Sequence, residues 1–132
     1  MPEVTIELFT SCRCIGKIKE ASYRYVMTCA GAKIEGTGEM KDTTGNRLAM
    51  TALIAALKRM RKPSVITVFT SNGYLIQGWK KAVGWEKEGW VRENGQTIKN
   101  SDLWQEILRL QKGHAVRYLP SEESDTVKTA QT

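Results

Sequence analysis

The stretch "GNRLAMTALIAALKRMRKPSVITVFT", from Gly45 to Thr70, places an amphipathic helix directly before a buried strand. In its first part Leu53, Leu57 and Met60 follow one another at spacings of four and three residues, which puts them on one helical face. Asn46 is predicted to cap the start of this helix, and Pro63 lies just past its end. The run that starts at Ser64 is almost entirely apolar, which is typical of a strand covered on both faces.

Before this unit, the chain is predicted to form three antiparallel strands. Val4–Phe9 alternates apolar and polar side chains, so its apolar residues share one face. The segments Tyr23–Cys29 and Lys33–Met40 are separated by the turn sequence "AGA", which favours a hairpin. The segment "TSCRCIG", Thr10 to Gly16, is predicted as a loop after the first strand.

After this unit, the chain is predicted to add two helices and one strand. The segment Asn72–Trp85 has a helical pattern, but its two internal glycines predict an interruption. Ser101–Lys112 is a second amphipathic helix, and Ala115–Leu119 is a last strand. A helix between two strands favours a right-handed crossover between parallel strands. The sequence therefore predicts a single α/β domain over residues 1–132, with helices packed on a mixed sheet of about five strands.

Composition restricts the class of protein. The chain has 132 residues, of which 41% are hydrophobic and 26% charged, as in an ordinary globular domain. It contains no run of about 20 apolar residues and no secretory pattern at its start, so a cytoplasmic protein without membrane association is expected. The net charge is +6, and residues 1–63 carry 11 basic against 6 acidic side chains. A basic half of this kind favours a polyanionic partner such as nucleic acid.

The cysteines and the single histidine raise the alternative of a zinc site. Cys12, Cys14, Cys29 and His114 would supply a Cys₃His set. A C-x-C spacing lacks the usual paired C-x-x-C, so the signal is weak. Three cysteines, an odd number, also argue against a disulfide framework.

Several strings resemble those of type 1 ribonuclease H, in the same order and over nearly the whole chain. These are "IELFTSCRCIG", "TTGNRLAMTALIAAL", "VITVFTSNGYLIQGW", "GWEKEGW" and "IKNSDLWQEI". The last two resemble the segments that flank the family's substrate-contacting protrusion. The resemblance implies a ribonuclease H-like fold, in which the first three strands form the meander and the strand from Val65 lies parallel to the first.

The family's chemistry depends on four carboxylates around two divalent metal ions, and three of those positions are not acidic here. The resemblance places Ser11, Ala49 and Ser71 where the family has acidic ligands, and Asp125 at the fourth position. Mg²⁺ prefers anionic oxygen ligands, which serine and alanine do not supply. The resemblance thus implies no intact catalytic set, no bound metal and no cofactor. Mg²⁺ or Mn²⁺ would be needed only if residual activity exists.

The family's catalytic histidine has no equivalent in this sequence. The string "KGHA" around His114 imitates the family's histidine loop, but it precedes the last predicted strand, whereas that loop follows it. His114 is therefore predicted to be a turn or surface residue.

Other residues match positions or surfaces through which such a protein would contact nucleic acid. Asn46 and Gln77 match positions where the family contacts an RNA–DNA hybrid, and Arg13 lies beside the former ligand position at Ser11. Trp90 is the tryptophan expected to be most exposed, whereas Trp85 and Trp104 are expected to pack in the core. The full predicted nucleic-acid-binding set is Arg13, Cys14, Lys17, Asn46, Arg47, Gln77, Lys80, Lys81 and Trp90.

Three functions remain open on the sequence alone. The first is a catalytically inactive ribonuclease H-like protein that binds nucleic acid through the former active-site groove. The second is a structural module that binds a protein partner within a nucleic-acid-processing assembly. The third is residual metal-dependent cleavage of an RNA–DNA hybrid, with rearranged ligands from Glu39 or Asp42.

Overall fold

A computed structural model describes residues 2–16 and 18–121 of the chain. In this part the elements follow one another in the order β-β-β-α-β-α-α-β. The strands are β1 (Glu3–Ile15), β2 (Ile18–Cys29), β3 (Ala32–Lys41), β4 (Val65–Thr70) and β5 (Ala115–Pro120). The helices are α1 (Gly45–Leu57), α2 (Gly73–Lys87) and α3 (Ser101–Gln111).

The strands form one mixed sheet in the order β3-β2-β1-β4-β5. The first three strands pair antiparallel, with Ile6 opposite Met27 and Met27 opposite Ile34. β4 lies parallel to β1, with Val4 beside Ile66, and β5 lies parallel to β4. This topology confirms the predicted mixed sheet, its antiparallel meander and its parallel strand from Val65.

The hydrophobic core lies between one face of the sheet and the helices. Alternation along β1 turns Val4, Ile6 and Leu8 towards α1, and they share a buried cluster with Leu53 and Trp104. The opposite face carries the intervening residues of each strand. Within the described part of the chain, the three helices contribute to the core on one face, and the other face carries no helix.

The segment "TSCRCIG" was wrongly predicted as a loop. β1 continues through it to Ile15, and β2 begins at Ile18, so that Ser11 pairs with Ser22 and Arg13 pairs with Glu20. The two strands make a long hairpin whose far half extends beyond the end of β4. Pairing with β2 supplies backbone hydrogen bonds that a segment rich in polar residues does not reveal by its own pattern.

The start and the end of α1 and the continuity of α2 also differ from the prediction. The cap of α1 is Thr44, whose Oγ1 accepts a hydrogen bond from the backbone N–H of Arg47 at 3.2 Å, and not Asn46. The helix ends at Leu57, six residues before Pro63. α2 is not interrupted at its glycines. A Cβ on Gly78 would lie 2.7 Å from Cζ2 of Trp104, so this glycine permits close packing of α2 against α3.

The segment between α2 and α3 forms a small irregular excursion. An isolated antiparallel bridge joins Val91 to Thr97 around a turn at Gly95, whose φ is +85°. In the described residues no helix combines the length and the apolar character needed to cross a lipid bilayer. The last residues, 122–132, lie outside the described part, and so does the predicted position of Asp125.

Two tyrosines cover glycines of β3 on the helical side of the sheet. A Cβ on Gly36 would overlap the ring of Tyr25, and one on Gly38 would overlap the ring of Tyr23. Tyr25 is buried and its hydroxyl accepts a hydrogen bond from Arg59 at 3.2 Å, so its ring is held in place. We expect Gly36→Ala to lower the free energy of unfolding by about 1–3 kcal/mol, measured by urea denaturation.

Thr37→Ala is the matched control, because Thr37 is exposed and points to the other face of the same strand. Its effect should stay below about 1 kcal/mol. Equal losses in the two variants would contradict the explanation by ring overlap.

Candidate functional site

Two of the predicted ligand positions lie towards the same end of the sheet, Ser11 within β1 and Ser71 directly after β4. The parallel register ends with Glu7 beside Phe69, so Ser71 follows directly on β4. Continued by two residues, this register puts Ser71 beside Phe9. Ser11 then lies two residues further along β1, roughly 7 Å away at the rise of a strand. Both serine side chains are exposed.

Ser11 faces the helix-free side of the sheet, where it lines a polar cavity of about 380 Å³. The side chains of Arg13, Glu20, Ser22 and Glu39 also line this cavity, together with Lys41. Basic and acidic groups therefore alternate around it, with Glu20 between Arg13 and Lys41 in the strand pairing. Such an arrangement supplies hydrogen-bond donors for an anion but also carboxylates that repel one.

The third predicted ligand position lies in the protein interior. Ala49 is in the second turn of α1 and is only 1% exposed. Its methyl group packs in the core cluster with Met50, Leu53 and other residues of the same helix. A side chain at this position has become part of the packing between helix and sheet, and it offers no atom to a metal ion or a substrate.

The residues present do not fit a pair of divalent metal ions. Ser11 and Ser71 are neutral, Ala49 has no donor atom, and the fourth position, Asp125, lies outside the described residues. Across residues 2–16 and 18–121, no three His, Cys, Asp or Glu side chains cluster closely enough to hold a metal ion. Glu39 and Asp42, the stand-ins considered from the sequence, therefore belong to no such cluster.

The starts of α1 and α2 are joined directly. The amide Nδ2 of Asn72 donates to Oδ1 of Asn46 at 3.1 Å. Asn72 also caps α2, because its Oδ1 accepts from the backbone N–H of Leu75 at 2.9 Å. Asn46 is thus fixed to Asn72, the residue that follows Ser71 after the end of β4.

Arg47 is held by residues at the start of α3. Its guanidinium donates two hydrogen bonds to the carboxylate of Asp102, at 2.8 and 3.1 Å, and a third to Oδ1 of Asn100 at 3.1 Å. The hydrogen bond from Arg47 is the main reason why the pKa of Asp102 is lowered, and it raises the pKa of Arg47. A phosphate that approached Arg47 would have to compete with Asp102.

The sequence did not indicate this connection, nor the role of Tyr74. The hydroxyl of Tyr74 accepts hydrogen bonds from Nε1 of Trp104 at 3.0 Å and from Nδ2 of Asn100 at 3.4 Å. It donates to the carbonyl of Lys99 at 3.4 Å. Tyr74 thereby positions the start of α3, including the residues that hold Arg47. The partners are 25 to 30 residues apart in sequence, and no local pattern connects them.

The other predicted nucleic-acid-binding residues are spread over the molecule. Arg13 is exposed on the extended part of β1, and Gln77, Lys80 and Lys81 are exposed on α2. The structure does not describe Lys17 or the side chain of Cys14.

Trp90 is only half-buried, but it also has a structural role. Its ring packs against the core, and its backbone N–H donates to the backbone carbonyl of Trp85 at 2.9 Å. Trp85 and Trp104 pack together edge to face, as predicted for core residues, with ring centroids 6.5 Å apart.

The residues of the zinc alternative form no group of three in the described part of the chain. His114 follows α3 and precedes β5, and its Nδ1 accepts a hydrogen bond from the backbone N–H of Ser64 at 3.0 Å. This contact confirms the interpretation of His114 as a turn residue. Cys12 pairs with Ala21, whereas Cys29 lies eight residues further along β2, roughly 26 Å away. These two cysteines cannot bind the same zinc ion.

The comparisons with known proteins agree on one family. A family model described as RNase H matches residues 3–119. The "Ribonuclease H" of Acetivibrio thermocellus is 30% identical over 116 residues, which cover 86% of this chain and 79% of that protein. The "Ribonuclease H" of Cupriavidus necator is 33% identical over 119 residues, covering 89% and 81%.

Solved structures share the same fold. LC9-RNase H1, described as a type 1 RNase H with the type 2 active-site motif, is 25% identical with a TM-score of 0.67, covering 90% of this chain and 62% of that one. LC11-RNase H1, solved in complex with an RNA/DNA hybrid, is 15% identical with a TM-score of 0.57, covering 89% and 83%, and shows likeness of fold alone. With its mixed sheet, three helices and matched motifs, this chain belongs to the RNase H family.

Proposed function

We propose that this protein is a catalytically inactive member of the RNase H family that binds nucleic acid at the former active-site edge without a metal ion. The observation that carries the proposal is that Ala49 is buried in the core, while the other two predicted ligand positions, Ser11 and Ser71, are neutral. A two-metal mechanism requires anionic oxygens that hold both ions against the attacking water and the leaving group. Here the alanine is sealed into the core, and Ser11 and Ser71 have no charge.

The absence of these carboxylates also changes the electrostatic interaction between the site and a phosphate group. In a metal-dependent nuclease, acidic ligands repel the phosphate backbone until metal ions neutralise them. At Ser11 and Ser71 that repulsion is absent, and hydroxyl groups can donate to phosphate oxygens directly. Arg13 and Lys19 are exposed near the tip of the β1–β2 hairpin. Glu20 and Glu39 line the same cavity as Ser11 and Arg13, so phosphate is expected beside Arg13 and away from these two carboxylates.

The relatives make a nucleic-acid ligand the natural choice. They are named Ribonuclease H, and LC11-RNase H1 was solved with an RNA/DNA hybrid. The net charge of +6, concentrated in the first 63 residues, favours the same class of ligand. Because Arg47 is occupied by Asp102, Arg13 is the basic side chain on which we expect binding to depend most.

Fluorescence anisotropy with labelled RNA–DNA hybrid, duplex DNA and duplex RNA tests this proposal. We expect binding at low salt that is unchanged by EDTA and weakens steeply as salt is added, because neutralised phosphates release counterions. Arg13→Glu should weaken binding by about tenfold or more, since it replaces a phosphate-facing cation with a like charge.

Arg61→Glu is the matched control, with the same change in net charge at an exposed position after the opposite end of α1. It should reduce affinity far less than Arg13→Glu. Equal losses would indicate a diffuse charge effect instead of a site. If no nucleic acid binds at low salt, the alternative of a protein-interaction module replaces this proposal.

A further inference from the structure

The two edges of the sheet differ in how well they are protected. β5 has six residues and ends at a proline, Pro120. β3 has ten residues without a proline, and its pairing with β2 runs from Ala32 to Lys41 without a bulge. A long, regular edge strand exposes unpaired backbone groups that can pair with another strand. β3 is therefore the edge of this sheet that can accept a further strand.

We propose that β3 pairs antiparallel with β3 of a second copy of this chain, around a two-fold axis at Gly36, to give a continuous sheet across the dimer. In this register Lys33 lies opposite Glu39 of the second copy, and Ala32 lies opposite its Met40. By symmetry each contact occurs twice. The proposal does not depend on the function proposed above.

Charge along the strand favours this register. The order of charged residues in β3 is Lys33, Glu35, Glu39 and Lys41. A two-fold axis at Thr37 would place Lys33 against Lys41 and Glu35 against Glu39, with two repulsions of each kind. An axis at Gly38 would pair Glu35 with Lys41 but would leave Lys33 and Ile34 outside the paired length. The axis at Gly36 pairs nine residues and joins opposite charges only.

The apolar side chains on the helical side of β3 support the same arrangement. Ile34 is 43% exposed, among the most exposed large hydrophobic side chains in the described residues. Together with Ala32 and Met60 it lines an apolar cleft of about 230 Å³ below the end of α1. Met40 of the second copy would lie opposite Ala32, beside this cleft. Ile34 would lie opposite Gly38, whose helical side is covered by the ring of Tyr23, so Ile34 would pack against that ring.

Sedimentation velocity on the full chain, over a range of micromolar concentrations at physiological salt, tests this inference. We expect the wild type to shift from monomer to dimer as its concentration rises. Lys33→Glu and Glu39→Lys should each weaken the dimer by about tenfold or more, because each places like charges opposite one another twice. The double variant, K33E with E39K, should restore dimerisation because it exchanges the two charges.

Lys41→Glu is the control of equal charge change, because in the proposed register Lys41 has no charged residue opposite it. It should dimerise like the wild type, and circular dichroism of every variant should match the wild type. A wild type that stays monomeric at every concentration would overturn the inference. So would single variants that dimerise normally, a double variant that is not restored, or a Lys41→Glu variant as weak as Lys33→Glu.

Discussion

An RNA–DNA hybrid incubated with this protein in millimolar Mg²⁺ or Mn²⁺ should remain uncut. Metal-dependent hydrolysis of phosphodiesters needs ligands that hold both ions, and Ser11, Ala49 and Ser71 supply no anionic oxygen. Enzymes accelerate such reactions by about a millionfold or more, so the rate of cleavage should be lower than that of an active relative by a factor of that order. The measurement is gel analysis of a hybrid labelled on its RNA strand, with the Ribonuclease H of Acetivibrio thermocellus as a positive control.

A trace of a contaminating nuclease would give a false signal in such an assay. A substitution in this chain separates the two sources, because it cannot affect a contaminant. If cleavage copurifies with the protein and disappears in Asp125→Asn, the protein retains an active metal site and the proposal of inactivity fails. If weak cleavage is unchanged by that substitution, it does not belong to this chain. Titration with Mg²⁺ should also leave the thermal unfolding temperature unchanged, because a ligand that binds only the folded state would raise it.

The contacts beside the predicted ligand positions join the starts of the three helices. Asn46 is hydrogen-bonded to Asn72, and Arg47 is held by Asp102 and Asn100. These contacts fix the starts of α1, α2 and α3 relative to one another at one end of the sheet. A surface fixed in this way loses little conformational freedom when it binds a ligand.

The strands were the most predictable part of the fold. Alternation along Val4–Phe9 identified the buried face of β1, and the apolar run from Val65 identified the inner strand β4. The expectation that this strand is covered on both faces was wrong for the described residues, because its side chains are alternately buried and half-buried. The extension of β1 to Ile15 was missed, because polar residues in a hairpin are stabilised by their partner strand and not by their own pattern. The continuity of α2 through Gly78 was missed for a similar reason, since its explanation is the ring of Trp104 in another helix.

The site could be predicted in its position but not in its contacts. β1 and β4 were predicted to be parallel, so the position of Ser11 and Ser71 towards the same end of the sheet followed from the topology. The ion pair of Arg47 joins residues 55 positions apart, which a single sequence does not reveal. Arg47 was therefore expected to be available for phosphate, whereas it already has a partner.

Trp104→Ala should be among the most destabilising single substitutions in this chain. The side chain is fully buried, and its ring lies against Tyr74, Trp85 and Gly78. Truncation of a buried tryptophan leaves a large cavity and typically lowers the free energy of unfolding by about 3–5 kcal/mol. It also removes the donor to the hydroxyl of Tyr74, which positions the start of α3. Urea denaturation followed by circular dichroism measures the loss.

Because domains of this size are stable by only about 5–15 kcal/mol, Trp104→Ala could leave too little folded protein to measure, and Trp104→Phe then carries the test. Phenylalanine keeps part of the ring but removes the N–H, so a smaller loss of free energy of unfolding is expected.

Gly78→Ala alone should destabilise the protein, since its Cβ would lie 2.7 Å from the Trp104 ring. In the double variant, Gly78→Ala with Trp104→Phe, the free energy of unfolding should fall by less than the sum of the two single losses. The reason is that phenylalanine has no atoms in place of the outer ring of tryptophan. If the two losses in free energy of unfolding are strictly additive, Gly78 and Trp104 do not interact. The glycine would then not be required by the contact between α2 and α3.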